Sequence, residues 1–232
     1  MIINVKGLVK KFGTRTILDH LDFRVDEGEF VALLGPNGAG KSTFLRILTT
    51  LSYPNSGRVT IAGYQLPEHA AAVRLHLGVV THQPMLYGNL TSYENLRFFS
   101  QLYGLPISRQ RIDEIIKSLS LGARSNDLVR NYSRGMQQRL AIGRAIIHDP
   151  ELLLLDEPHT GLDQDACDLL GNLLRNVAAN GRTVLITSHD LGRVETLASR
   201  FDILSRGIIT ASARREDLKD GDLYSFYKGA IS

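Results

Sequence analysis

Apolar positions recur with two different periods along this chain. Short apolar runs of strand length open it: Ile2–Val5, Leu21–Val25 and Phe30–Leu34. The last is apolar without interruption and stops at a glycine-rich loop, the pattern of a strand buried on both faces. A helix is expected from Ser42 to about Leu51. Ser56-Gly57 marks a turn, and Val59–Ile61 is expected to pair with the opening strands. The middle of the chain changes to helical spacing. Thr91-Ser92-Tyr93-Glu94 reads as a capping box, with Thr91 at the N-cap and Glu94 three residues on. That helix should stop near Tyr103, ahead of Gly104 and Pro106. Ile112, Ile115, Ile116 and Leu119 fall on one face of a second helix. A third should run from Ser133 to about Ile147.

Strands then alternate with helices again. Leu152–Leu155 reads as a buried strand. Ala166, Leu169, Leu170, Leu173, Leu174 and Val177 form a helical stripe that ends at Asn180-Gly181, and Thr183–Thr187 is a further buried strand. A short helix is expected after His189. Strands near Asp202–Leu204 and Ile208–Ser212 and a short helical tail complete the chain. The alternation predicts an α/β fold with a parallel sheet and covering helices. Residues 83–149 interrupt it and are expected to form a helical subdomain. The core would then comprise about 1–82 and 150–212, with a tail at 213–232.

Composition narrows the function classes. The chain has 232 residues, enough for one sizeable domain, with 43% hydrophobic and 22% charged residues. The formal charge of +3 permits anionic ligands but is too small to argue for nucleic acid. The single cysteine, Cys167, excludes an intrachain disulfide and fits a reducing compartment. No apolar run approaches the roughly 18–20 residues of a membrane span, and the first residues lack a signal-peptide plan. A cytosolic location is expected, with any membrane part supplied by another chain.

Two stretches carry phosphate chemistry. Gly35-Pro36-Asn37-Gly38-Ala39-Gly40-Lys41-Ser42-Thr43 matches G-x-x-x-x-G-K-[ST] between a buried strand and a helix. Such a loop turns backbone N–H groups toward phosphate oxygens, and the helix dipole adds to them. Lys41 is expected on the β- and γ-phosphates and Ser42 on Mg²⁺. Leu152-Leu153-Leu154-Leu155-Asp156-Glu157 supplies two acids at a strand end: Asp156 for the magnesium shell, Glu157 to polarise water. Together these stretches fit a P-loop ATPase or a kinase equally.

Tyr132-Ser133-Arg134-Gly135-Met136-Gln137-Gln138-Arg139 separates the two. It resembles the signature of the ABC ATPases, usually Leu-Ser-Gly-Gly-Gln before a basic helix. It departs from that pattern at Tyr132, Arg134 and Met136 and keeps Ser133 and Gly135. The resemblance covers about residues 1–212, with the motifs in order. It implies a P-loop NTPase core with a mixed, largely parallel sheet, an antiparallel β portion and an inserted helical subdomain. It implies ATP and Mg²⁺ as ligands, ATP hydrolysis, and a head-to-tail pair in which Ser133 and Gly135 contact the phosphate bound by the other copy. Gln83 matches the Q-loop glutamine, which contacts magnesium or water and relays nucleotide state; by itself a glutamine there is also an ordinary solvated loop residue. Thr160-Gly161-Leu162-Asp163 resembles the D-loop, and His189 the switch histidine. Phe12 falls where an aromatic ring stacks on adenine, with a core phenylalanine as the alternative. His82, His159 and Cys167 receive no role.

The expectation is a cytoplasmic ATPase subunit, peripheral on the membrane. It would act with a separate polytopic membrane subunit and a second nucleotide-binding subunit, without nucleic acid. The signature looks like those of prokaryotic exporters, with haem export for cytochrome c maturation as one version and drug, polysaccharide or ABC-2-type export as others. The alternatives are a soluble ABC ATPase working on nucleic acid or ribosomes, and a P-loop kinase or GTPase.

Overall fold

The computed structural model describes residues 1–81, 83–218 and 222–231; His82 lies outside the described residues. The elements in chain order are β1 (Ile3–Phe12), β2 (Arg15–Val25), β3 (Phe30–Leu34), α1 (Lys41–Leu48), β4 (Ser56–Ile61), β5 (Tyr64–Leu66), α2 (Ala70–Leu75) and β6 (Leu77–Val80). There follow α3 (Ser92–Leu102), α4 (Arg109–Ser118), α5 (Arg134–Ile146), β7 (Leu152–Asp156) and α6 (Gln164–Ala179). The chain continues through β8 (Thr183–Ser188), α7 (Leu191–Glu195), β9 (Arg200–Ser205), β10 (Ile208–Arg214) and α8 (Leu223–Ile231).

Two sheets organise these elements. The larger has the order β10-β9-β3-β8-β7-β6. Its strands β3 and β6 to β9 run parallel, and β10 is an antiparallel edge. The smaller, β2-β1-β4-β5, is antiparallel throughout. This is the α/β architecture that the alternation of strands and helices predicts.

The central strands are buried on both faces, and each face has its own core. Ala32, Leu34, Leu153, Leu155, Val184 and Ile186 share one cluster with Leu140, Ile142, Leu170 and Leu174 of α5 and α6. Val31, Leu33, Leu152, Leu154 and Leu185 share the other with α1 and the small sheet. Helix α1 is therefore enclosed between the two sheets. Phe44, Ile47 and Leu48 have no exposed surface, and the Phe44 ring meets Phe23 edge-on at 5.1 Å. Each such side chain contributes about 1.5–3 kcal/mol by leaving water. The same burial fixes the loop that precedes α1.

Between β6 and β7 the described residues hold only helices, 3-10 turns and one isolated bridge, Thr91 to Leu128. The capping box of α3 forms as expected: Thr91 Oγ1 accepts from the Glu94 N–H at 3.2 Å, and the Thr91 N–H donates to Glu94 Oε2 at 2.8 Å. Ile112, Ile115, Ile116 and Leu119 are all buried.

The structure corrects three details. β1 and β2 are about twice as long as the apolar runs suggest, because their outer halves carry polar residues on a solvated face. α2 and the strands β5 and β6 were not anticipated; β6 has four residues, one of them Gly78, too few to show a period. Leu169, placed in the α6 stripe, is 43% exposed, since the helix turns it away from the sheet.

Candidate nucleotide site

The loop between β3 and α1 folds around a lysine. Gly40, at the N-cap of α1, has φ +111° and supplies no side chain to the first helical turn. A Cβ there would lie 2.8 Å from Leu18 Cδ2, so β2 presses directly on the loop. The leading N–H groups of α1 thus lack a side-chain cap and carry the positive end of the dipole. Lys41 is only 6% exposed. Its ammonium donates to the carbonyls of Gly35 at 2.7 Å and Pro36 at 3.3 Å. Burial pulls the Lys41 pKa below its ordinary value, and the charges of Glu157 and Asp156 oppose that shift.

The two acids at the end of β7 have different surroundings. Asp156 Oδ1 accepts from Thr187 Oγ1 at 2.7 Å and from Ser42 Oγ at 3.2 Å. That links β7, β8 and the first turn of α1 through one carboxylate oxygen. Glu157 has φ +49°, a left-handed conformation costly for a residue with a side chain. Its N–H is held by Thr187, at 3.2 Å to the carbonyl and 3.1 Å to Oγ1. Its carboxylate reaches Lys41 Nζ at 3.7 Å through Oε1 and His189 Nδ1 at 2.7 Å through Oε2. The Glu157 carboxylate thus lies between a buried ammonium and an imidazole, and phosphoryl transfer to water needs a group that orients the nucleophile.

Lys41, Ser42, Glu157 and His189 open onto a cleft of about 450 Å³ lined also by Pro36, Asn37, Gly38, Gly40, Thr43 and Thr160, with Asp156 behind Ser42 rather than in the lining. Arg15 and Ile17 of β2 complete the wall. The sequence reading missed both, because the β1–β2 turn brings them there and no periodicity marks it. Phe12 is 58% exposed at the tip of the same hairpin, in register with Arg15. It is therefore not a core residue, and it does not line the cleft. Gln83 lies on an exposed loop and is not among the residues that line the cleft; its backbone carbonyl accepts from Thr81 Oγ1 at 2.7 Å.

Ser133 and Gly135 also lie outside this cleft. Ser133 is the N-cap of α5, its hydroxyl accepting from the Met136 N–H at 3.3 Å. Gly135 is buried, and a Cβ on it would come within 2.7 Å of the Ala166 Cβ. The glycine is thus required for α5 to pack on α6, whatever else it does.

The oxygens of Ser42 and Asp156 are hard ligands suited to Mg²⁺. Among the described residues no cluster of three or more His, Cys, Asp or Glu could hold a metal alone.

His159, two residues from Glu157, is 8% exposed, and among the described residues its Nδ1 has no partner. Burial, reinforced by Arg193 and opposed by Asp190, lowers its pKa to about 4. The folded chain therefore keeps His159 neutral down to about pH 4, while the unfolded chain protonates it near its ordinary value of about 6.5. Between those limits the unfolded state binds more protons, so stability present above pH 6.5 is lost as pH falls toward 4, by about 3 kcal/mol at most. His148, also lowered chiefly by burial, acts in the same direction. Tm should fall more steeply between pH 6.5 and 4.5 in the parent than in His159→Phe; parallel curves would remove His159 as a cause.

The family described as "ABC transporter" matches residues 18–160. Nod factor export ATP-binding protein I of Ralstonia nicotianae is 37% identical over 219 residues, covering 94% of this chain and 68% of that protein. Daunorubicin resistance ATP-binding protein DrrA3 of Streptomyces coeruleorubidus is also 37% identical, covering 94% and 69%. Linearmycin resistance ATP-binding protein LnrL of Bacillus subtilis is 34% identical, covering 94% and 70%. Among solved structures, an ATP-binding subunit of an ABC transporter superposes with a TM-score of 0.87 at 30% identity, covering 98% of this chain and all of that one. The dimeric, post-hydrolysis cassette MJ0796 bound to ADP and Pi superposes with a TM-score of 0.82 at 29% identity, covering 92% and 99%.

Proposed function

The chain belongs to the ABC transporter ATP-binding family, and from that premise we propose that it hydrolyses ATP to drive export through a separate membrane-spanning subunit. The observation that carries the reading is the Glu157 carboxylate, held between Lys41 and His189 on the cleft that the phosphate loop lines.

The residues divide the work by their chemistry. The N–H groups of residues 35–43 and Lys41 bind the phosphates. Ser42 and Asp156 would hold Mg²⁺, which would supply neutralisation of charge on the phosphates. Glu157 orients a water and accepts its proton as the oxygen–phosphorus bond forms and ADP leaves. His189 fixes the rotamer of Glu157 through the 2.7 Å contact. Phe12, exposed beside the cleft, stacks on adenine.

Ser133 and Gly135 act on a second copy. Their position outside their own cleft supports this, as does the dimeric state of the MJ0796 cassette. Two copies related head to tail would each offer the α5 N-terminus to the other's phosphate.

The membrane subunit docks at an apolar groove of about 200 Å³ beside β6, lined in part by Leu51, Val79, Met85, Phe99 and Tyr103. Gln83 sits two residues from Met85, which supports its role as a relay between cleft and groove. Residues 83–149 would move as the transmitting lobe. Among the described residues no helix is long and apolar enough to cross a membrane, so recruitment to the cytoplasmic face falls to such a surface. Export is the direction because the three relatives named above are export and resistance subunits. None of those names mentions haem; they support a small exported compound.

Leu51 is 58% exposed at the groove. Leu51→Glu should leave ATP turnover of the purified protein within twofold of the parent and abolish its cosedimentation with membranes that contain the transport subunit. A parent that never copurifies with a polytopic membrane protein, and instead follows nucleic acid or ribosomes, would transfer the reading to the soluble ABC ATPases.

A further inference from the structure

Arg134 stands where the family signature usually has glycine, and it meets Gly161 in the same chain. Gly161 adopts φ +75° in the loop that leaves Glu157. A Cβ at position 161 would lie 2.7 Å from Arg134 Nη1, 2.8 Å from Cζ and 3.1 Å from Nε. The flat guanidinium thus lies over the face that Gly161 leaves bare, and a side chain at 161 would have to displace it. The loop beneath it is a pair of successive turns. The Thr160 N–H donates to the Glu157 carbonyl at 3.1 Å, and the Leu162 N–H to the His159 carbonyl at 3.2 Å. Thr160 lines the cleft beside Glu157.

The placement is built in from both sides. Gly135 lets α5 close on Ala166, and Asp163 caps α6 by accepting from the Ala166 N–H at 2.8 Å. The starts of the two helices are thereby locked together, and Arg134 projects from one onto the loop feeding the other. Among the described residues no carboxylate pairs with Arg134. A cation at the positive end of a helix is electrostatically disfavoured. Neither an ion pair nor the helix dipole accounts for an arginine here, whereas its contact with Gly161 does. Guanidinium is weakly hydrated and packs face-on, which an ammonium does not reproduce.

We propose that Arg134 is a positioning residue: it clamps the Thr160-Gly161 turn and so holds Glu157 and Thr160 in their hydrolytic arrangement. The inference rests on the ATPase reading given above. It also gives that reading a route of communication, since the α5 N-terminus that would meet the other copy's phosphate carries the residue that braces its own cleft.

A double-mutant cycle on the full chain tests the clamp, with steady-state ATP hydrolysis as the readout. Arg134 is exposed, so its replacement should leave the thermal transition in place. Arg134→Ala is expected to lower kcat about tenfold with the KM for ATP unchanged, because nucleotide is held by the phosphate loop. Arg134→Lys should not restore it. Gly161→Asn adds a Cβ in a conformation that asparagine tolerates, and should lower kcat by a similar factor. The double variant should be no slower than either single one. Losses that multiply would mean that the two residues act separately and would overturn the clamp. So would a kcat for Arg134→Ala within twofold of the parent, or a raised KM with kcat intact, which would place Arg134 on the nucleotide. A parent without ATP hydrolysis overturns the proposed function instead, so the two failures are distinct.

Discussion

Glu157→Gln is expected to bind ATP as the parent does and to lose about 10²–10⁴-fold in turnover, the contribution of a positioned general base. The substitution is nearly isosteric. Thr187 still holds the strained backbone at position 157, since those contacts use only the main-chain N–H. What disappears is the negative oxygen proposed to accept the water's proton. Lys41, 3.7 Å away, loses a counter-charge and becomes freer to serve phosphate, so affinity should not fall. ATP would then accumulate in the cleft. Because the proposed pair closes on uncleaved triphosphate, size-exclusion chromatography with ATP should show a dimer that the parent forms only transiently. Phosphate release at the parental rate would remove Glu157 from the chemistry. A variant that is monomeric when saturated with ATP would instead remove the two-copy site.

Lys41→Ala should fail one step earlier. Its ammonium is buried and already bonded to the Gly35 and Pro36 carbonyls, so it is preorganised where phosphate oxygens arrive. Loss of one such charged donor costs on the order of 10²–10³-fold in turnover, and here the ground state should suffer as well. Titration with a fluorescent ATP analogue should show weakened binding together with lost hydrolysis. Stability should change little, because removing Lys41 also relieves the burial that lowers its pKa. Full hydrolysis by Lys41→Ala would contradict the assignment of the loop. The two variants thus separate binding from chemistry: one traps nucleotide, the other does not admit it.

Much of the site was legible because its parts are contiguous in the chain. Residues 35–43 and 152–157 each carry strand, turn and functional side chain together, so local spacing defines them. Thr91 and Glu94, or Ile112 to Leu119, were legible for the same reason: caps and helical stripes are local. Arg15 and Ile17 were not, because a hairpin tip carries them to the cleft and nothing in their own spacing says where it lands. Nor could spacing distinguish an adenine-stacking Phe12 from a core phenylalanine; exposure excluded the core reading.

Arg134 shows the same division most clearly. In the sequence it is a departure from a glycine motif. In the fold it lies on Gly161, 27 positions further along, because Gly135 and Ala166 bring two helix starts together. The sequence by itself determined the chemistry available: which groups are suited to phosphate, metal and water, and on which kinds of element they sit. Only the tertiary structure decided which of them meet. It set Glu157 between Lys41 and His189, left Ser133 outside its own cleft, and enclosed α1 between two sheets. Periodicity records how a segment buries itself, whereas contacts between distant segments depend on how whole elements pack.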